Sequence, residues 1–266
     1  GDTVGLGTVV GTWRSAPRQP GAAMLVGPDD SAVGSVSGGC VESAVYALAQ
    51  EVIKDGHPVL QRYGVSDNDA FAVGLTCGGI LDVFVEKVSQ QTFPELADIA
   101  ADIDAGRPVA VATAVEHPDA TRLGMRMIVR PAEDSPIVGS LGSPRADAAV
   151  ADDVRGLLAT GKTELLTYGP EGQRRGEGMR VFAASYAPRP RMLVFGAIDF
   201  AAAVARLGSF LGYQVTVCDA RPVFATRTRF PDADQVVVAW PHRYLASEVE
   251  AGRIDQRIDA RHFRTG

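Results

Sequence analysis

Hydrophobic and polar positions alternate in two rhythms along the chain. Short apolar runs at Gly7–Thr12, Ala22–Val26, Ala32–Ser37, Val59–Val65 and Ile80–Val88 have strand length and turn residues at their ends. Between the third and fourth, Glu42–Lys54 places Val45, Leu48, Ala49 and Val52 on one helical face, and Gly56 and Pro58 end it. The same rhythm continues. Helices are predicted at Pro94–Ala105 and Ala146–Ala159, and strands at Val109–Val115, Gly124–Val129, Glu164–Tyr168 and Met179–Ala184. No internal repeat is expected. Ala187-Pro188-Arg189-Pro190-Arg191 reads as a stiff, solvated connector. Beyond it the order is strand (Met192–Ala197), helix (Asp199–Leu211), strand (Gln214–Cys218), strand (Val236–Trp240) and helix (Tyr244–Ala251). A buried apolar strand ending in glycine, then a helix, then a second apolar strand opens a doubly wound parallel sheet. The expected organisation is a mixed α/β domain over residues 1–187 and a second α/β domain over 191–266.

Composition narrows the function. Of 266 residues, 46% are hydrophobic and 22% charged, enough for sizeable cores. Lys plus Arg number 26 and Asp plus Glu 32, a net charge of −6. That balance excludes a general nucleic-acid or anionic-membrane binder, which needs a basic face. No apolar run is long enough to span a bilayer, and no signal peptide is visible at the start. Three cysteines, Cys40, Cys77 and Cys218, make a poor disulfide framework and suit a reducing cytoplasm.

Two cysteines sit in unusual company. In Ser35-Val36-Ser37-Gly38-Gly39-Cys40-Val41-Glu42 a strand feeds a Gly-Gly turn with the thiol at a helix start. Glycines allow backbone N–H groups to form an anion nest, and a helix start favours negative charge and thiolate. A small cysteine packed in a tight turn fits the same pattern. The second segment is Gly74-Leu75-Thr76-Cys77-Gly78-Gly79, just before a strand. Two Cys-glycine loops at strand ends suggest a ligand site; two structural turns are the alternative. Their spacing is too long for a zinc knuckle, and no metal site is expected. Arg14 and Arg18, in the Pro/Gly-containing loop Thr12–Gly21, suit phosphate or carboxylate, or simply solvent. In the second domain Gly196 and Asp199 begin a helix, and Asp219 and Arg221 end the next strand, where a dinucleotide fold places its ribose acid. Ile198 stands where the second glycine of a G-x-G string belongs, so NAD(P) binding is disfavoured. The four histidines are scattered, without paired spacing.

These strings resemble the XdhC/CoxI family. The resemblance rests on Val36–Glu42, Tyr63-Gly64-Val65-Ser66-Asp67, Gly74–Gly79, and Val217-Cys218-Asp219-Ala220-Arg221-Pro222 with Arg229-Phe230-Pro231. It implies an N-terminal α/β domain and a C-terminal Rossmann domain, here shorter than in relatives. It also implies an accessory factor that binds molybdenum cofactor, assists its sulfuration, and passes it to an apo molybdenum hydroxylase of the xanthine dehydrogenase type. Cys40 and Cys77 would act on the metal or its sulfur. Arg18, Ser37, Gly38, Gly39, Glu42, Thr76, Gly78 and Gly79 would line the cofactor, and Gly196, Asp199, Asp219 and Arg221 the nucleotide-type site. A cysteine desulfurase and a second copy of the chain are the further expected partners. Two alternatives stay open: an NAD(P)-binding oxidoreductase-like protein, and a paralogue that only contacts a partner enzyme.

Overall fold

The computed structural model describes residues 2–16, 18–64 and 79–251. The chain divides into two compact units, Gly1–Pro188 and Arg189–Gly266.

In the first unit the elements are β1 (Val4–Trp13), β2 (Ala23–Val26), β3 (Ala32–Gly34), α1 (Glu42–Asp55), β4 (Val59–Tyr63), β5 (Ile80–Val88) and α2 (Leu96–Asp104). They continue with β6 (Val109–Glu116), β7 (Arg126–Val129), β8 (Val138–Gly139), α3 (Pro144–Thr160), β9 (Glu164–Tyr168) and β10 (Met179–Tyr186). Two antiparallel sheets result, ordered β3-β2-β1-β5-β4 and β8-β7-β6-β10-β9. The orders are the same with every strand advanced by five.

The strand period of two sorts each sheet into an outer and an inner face. On β5, Leu81, Val83 and Val85 pack with Val45, Ala49 and Val52 of α1. Alternate Phe84 turns inward to meet Val10, Val115 and Phe182. On β6, Ala110, Ala112 and Ala114 pack with Val150, Val154 and Leu158 of α3. The layers are therefore α1, first sheet, second sheet, α3. Small residues line the helix-facing side of β1. A Cβ on Gly7 would stand 2.7 Å from Val45, so glycine sets how closely α1 approaches.

Contrary to the expectation of no repeat, the unit is an internal repeat whose copies share few identical residues. Gly34, Ser35, Glu42, Tyr63 and Gly64 recur as Gly139, Ser140, Asp147, Tyr168 and Gly169, a constant offset of 105 positions (34 to 139, 63 to 168). Local geometry repeats as well. Gly34 (φ 92°) would bring a Cβ to 2.3 Å from the Ala23 carbonyl oxygen, and Gly139 (φ 84°) to 2.3 Å from that of Arg126. Both glycines end an edge strand where no side chain fits.

Boundaries differ from expectation where local chemistry intervenes. The third strand stops at Gly34, because Ser35 and Ser37 turn their hydroxyls into the following loop. The helix expected from Ala146 begins at Pro144, capped by Ser143, whose Oγ accepts from the Ala146 N–H. Strand β8 is two residues long and left no periodic signal.

The second unit has β11 (Arg191–Phe195), α4 (Asp199–Phe210), β12 (Gln214–Asp219), β13 (Gln235–Val238) and α5 (Pro241–Glu250). Its sheet is parallel, in the order β11-β12-β13, as the β-α-β pattern predicted. Ala201 and Ala205 of α4 pack on Val215 and Val217. Among the described residues no helix is long and apolar enough to cross a membrane.

Candidate functional site

The ladder places the first cysteine loop. Trp13 pairs with Ile80, Tyr63 with Leu81, and Gly34 with Met24 near the start of β2. The end of β1, the end of β3, the end of β4 and the start of β5 therefore lie at one end of the sheet. α1 begins there too, since Val45 lies over Gly7 and Ala49 over Gly5. The segment 35–41 and the flanks of the second cysteine loop, Gly64 and Gly79, share this end. Val65, Thr76, Cys77 and Gly78 lie outside the described residues.

Within 35–41 the backbone folds around one carboxylate. Glu42 Oε1 accepts from Ser35 Oγ (2.8 Å), Ser37 N (2.9 Å) and Gly38 N (2.9 Å). Its Oε2 accepts from Gly39 N (2.8 Å) and Ser37 Oγ. Ser37 Oγ in turn accepts from the N–H groups of Cys40 and Val41, each at 3.0 Å. The anion nest expected from the glycines exists, and the chain's own Glu42 fills it. Burial raises the Glu42 carboxyl pKa, but the hydrogen bonds from Ser37 and Ser35 outweigh it and hold the group well below the usual carboxylate range.

The turn thus turns its amides inward and presents bare backbone outward. Gly38 (φ 82°) and Gly39 (φ 122°) are both left-handed, and a Cβ on either would meet nothing within 4 Å. Cys40 is half-buried beside this open surface, packed against the α1 core.

The second repeat shows which features belong to the scaffold. Ser140 Oγ donates to Asp147 Oδ2 (2.7 Å), and the Leu141 N–H to Asp147 Oδ1 (2.7 Å). The Gly142 N–H donates to Ser140 Oγ at 3.0 Å, as the Gly38 N–H does to Ser35 Oγ. The serine, the acid seven residues on, and the turn between them are common to both copies. Gly-Gly-Cys occurs in the first copy alone; Ser143-Pro144-Arg145 lies in the corresponding segment. This pairing of serine and acid was missed in the sequence. Gly-Ser and an acid eight residues after the glycine, occurring twice, is the signal that could have revealed it.

Around this end the other candidates separate. Gly79 admits close backbone approach: a Cβ there would stand 2.9 Å from Ala16 Cα and 3.0 Å from the Ser15 carbonyl oxygen. Arg18 is exposed in the loop after β1. An ion network that sequence reasoning also missed ties the two sheets together here. Buried Asp82 pairs with Arg62 (2.7 Å) on its own sheet and Arg180 (3.2 Å) on the other. Arg180 also holds Glu116 (2.6 Å), and Arg62 stacks on Trp13.

In the second unit Gly196 (φ 99°) leads into α4. Asp219, at the end of β12, is fully engaged. Its Oδ2 accepts from the Ala197 N–H (2.7 Å), and Arg221 grips both oxygens (2.9 and 2.8 Å). The Arg221 guanidinium holds the Asp219 carboxyl well below the usual range. Arg221 stacks on Phe224, and so does Arg229, which reaches the exposed Asp199. The acid that would hold a ribose instead clamps its own glycine turn, and Ile198 stands half-exposed at the helix start. Cys218 is buried, its thiol pushed up to about 11 by burial, which keeps it protonated and unreactive. Among the described residues no group of three His, Cys, Asp or Glu side chains is arranged to hold a metal ion.

Comparison with known proteins follows this division. The XdhC and CoxI family model matches residues 1–64 and 102–169, one segment in each repeat. The XdhC Rossmann domain model matches residues 192–260. A curated relative from Bacillus subtilis (strain 168), named as a probable xanthine dehydrogenase subunit, is 27% identical over 259 residues, covering 97% of this chain and 71% of its own length. The uncharacterized protein YqeB of Escherichia coli (strain K12) is 38% identical over 77 residues, 29% of this chain and 14% of that protein. The crystal structure of a xanthine dehydrogenase from Bacillus halodurans aligns with a TM-score of 0.62 at 24% identity. It covers 92% of this chain, which spans 66% of that one, and the likeness concerns the fold. With both domain models matched in chain order across both units, the chain belongs to the XdhC/CoxI family.

Proposed function

We propose that this protein is an accessory factor for a xanthine-dehydrogenase-type molybdenum hydroxylase, and that it binds molybdenum cofactor and assists its sulfuration and insertion. The family membership and the names of the relatives support the enzyme served. The observation that carries the cofactor reading is the turn Gly38-Gly39-Cys40. It offers side-chain-free backbone at Gly38 and Gly39 to open space at the end of a sheet, next to the half-buried Cys40, on a scaffold whose own carboxylate is already satisfied by hydrogen bonds.

The residues fit such a ligand in a specific way. The nest amides are occupied by Glu42, so they are not the phosphate site. A flat ring system can lie against Gly38 and Gly39, where no Cβ intrudes. Cys40 supplies a soft sulfur ligand at its edge, and Arg14 and Arg18 supply positive charge for a phosphate. Cys77, with Thr76, Gly78 and Gly79, belongs to the same reading as the expected second contribution to the site. When bound, the cofactor supplies the redox chemistry of the recipient hydroxylase. This chain's part is to hold it, orient it and keep water from it.

A cysteine desulfurase as sulfur donor, homodimerisation through an edge of the parallel sheet, and a cytoplasmic location belong to the same reading. An NAD(P)-dependent function is disfavoured, because Asp219 is engaged with Ala197 and Arg221. The test is reconstitution. A demolybdo-hydroxylase incubated with cofactor-loaded protein gains activity, and the Cys40→Ser, Cys77→Ser variant gives less than a tenth of that gain. Equal gain with the variant overturns the role of the cysteines.

A further inference from the structure

The second unit leaves one flank of its first helix uncovered. Phe200, Val204 and Leu207 of α4, with Leu211 at its end, recur at spacings of four, three and four, so they form one stripe. A helix ordinarily buries an apolar stripe of that spacing. Here all four are exposed, Phe200 by 80% and Leu211 by 59%. The helix already has its core face: Ala201, Ala205 and Gly208, each one position after a stripe residue, lie against the sheet. α4 therefore has two apolar faces, of which the unit covers one.

The fold places the second face. On the opposite flank, Ala202 packs toward the core, and Arg206 reaches Asp232 (3.4 Å) in the segment between β12 and β13. That flank looks toward β13. A Cβ on Gly208 would stand 2.6 Å from Met192 Sδ, so α4 lies directly over β11. The apolar stripe consequently overhangs the outer edge of β11. Among the described residues β11 pairs with β12 alone. Met192-Leu193-Val194 carries neither charge nor proline to guard that edge. Residues 252–266 contain no two adjacent apolar positions, whereas a buried parallel strand is a near-continuous apolar run.

We propose that the α4 stripe and the β11 edge form a homodimer interface, in which two copies join their sheets edge to edge and pack α4 against α4. Self-complementarity selects a second copy. About a twofold axis beside β11, each edge meets its own equivalent antiparallel, and each apolar stripe meets an identical stripe with no charge to match. Area agrees. The exposed parts of the stripe and of neighbouring Phe210 amount to on the order of 700 Å², above the ~300–600 Å² patch of a typical monomer and near the ~800 Å² that each partner buries in a standard interface. This names the surface of the homodimer in the proposed function, rests on that part of it, and does not involve the cofactor.

The test is analytical ultracentrifugation of the full, cofactor-free chain over about 1–100 µM. A cofactor-free sample keeps this result separate from any failure of molybdopterin binding. The parent is expected to sediment as a dimer that dissociates on dilution. Phe200→Lys and Leu207→Lys, at exposed positions, are expected to weaken it at least tenfold with an unchanged circular dichroism spectrum. Val223→Lys, equally exposed but in the segment between β12 and β13, is expected to leave it intact. In hydrogen exchange, the amides of Met192–Val194 in the parent are expected to exchange more slowly as concentration rises. A parent that stays monomeric throughout overturns the proposal, whether the stripe is then open, covered by another part of the chain or reserved for a partner enzyme. A dimer that both lysine variants leave unchanged, or exchange at Met192–Val194 that is independent of concentration, overturns it too.

Discussion

At the scale of single residues, Glu42 is the centre of the candidate site without being its chemistry. Its carboxylate accepts five hydrogen bonds from four residues of its own loop. A Glu42→Gln amide keeps the shape but loses half of the acceptor capacity, leaving donors unsatisfied. We expect a loss of about 1–3 kcal/mol in denaturant unfolding. The pH dependence has a definite sign. The folded pKa lies below the ordinary value of 4.5. Its stabilisation is therefore present above that value and fades as pH falls through and below it. In Glu42→Gln that portion of the acid destabilisation is absent. Asp147→Asn is the control in the second copy: it weakens the fold through the matching turn and leaves the reactivity of Cys40 unchanged, as alkylation with mass mapping would read. The residue types at this site were legible in sequence, and the nest was correctly expected at Gly38-Gly39. Its occupant was not, because an acid that folds back on its own loop has the same spelling as one that faces a ligand.

At the scale of elements, glycines divide into those that build and those that present. Gly34 and Gly139 each leave 2.3 Å between a would-be Cβ and a carbonyl oxygen, at positive φ. Alanine at either forces backbone movement at an edge strand, and we expect at least about 2 kcal/mol of destabilisation from each, by thermal melting. Gly38 faces open space, so Gly38→Ala meets only the left-handed backbone penalty of about 1–2 kcal/mol. It should instead weaken ligand binding at the turn. Most helices and strands were readable from periodicity, because each sheet keeps one apolar face for its helix and one for the other sheet. The two-residue β8 was not, since a strand that short has no period. The start of α3 was misplaced because the Ser143 cap and Pro144 lie before the first apolar position.

At the scale of the whole molecule, the first unit is two copies of one five-stranded motif, packed face to face and pinned at one end by Asp82 between Arg62 and Arg180. Asp82 is 1% exposed, and Asp82→Ala removes the acceptor that joins Arg62 to Arg180, while Arg180 keeps Glu116 and Arg62 stays half-exposed on Trp13. A cost of about 1–3 kcal/mol is expected, read by denaturant titration. The repeat was illegible by eye because what it conserves is spacing and turn geometry, with few identical side chains. The parallel β-α-β unit was legible from Met192 to Asp219, whereas the clamp of Asp219 by Ala197 and Arg221 depends on a fold that brings residues 22 positions apart into contact.

The central claim is that the Gly38-Gly39-Cys40 turn holds molybdenum cofactor. The most direct measurement is equilibrium binding of molybdopterin to the purified chain, beside a Cys40→Ser variant and a Gly38→Ala variant of verified fold. The account predicts saturable binding by the parent that falls at least tenfold in both variants. Binding that is the same in all three proteins, or absent from the folded parent, would contradict it.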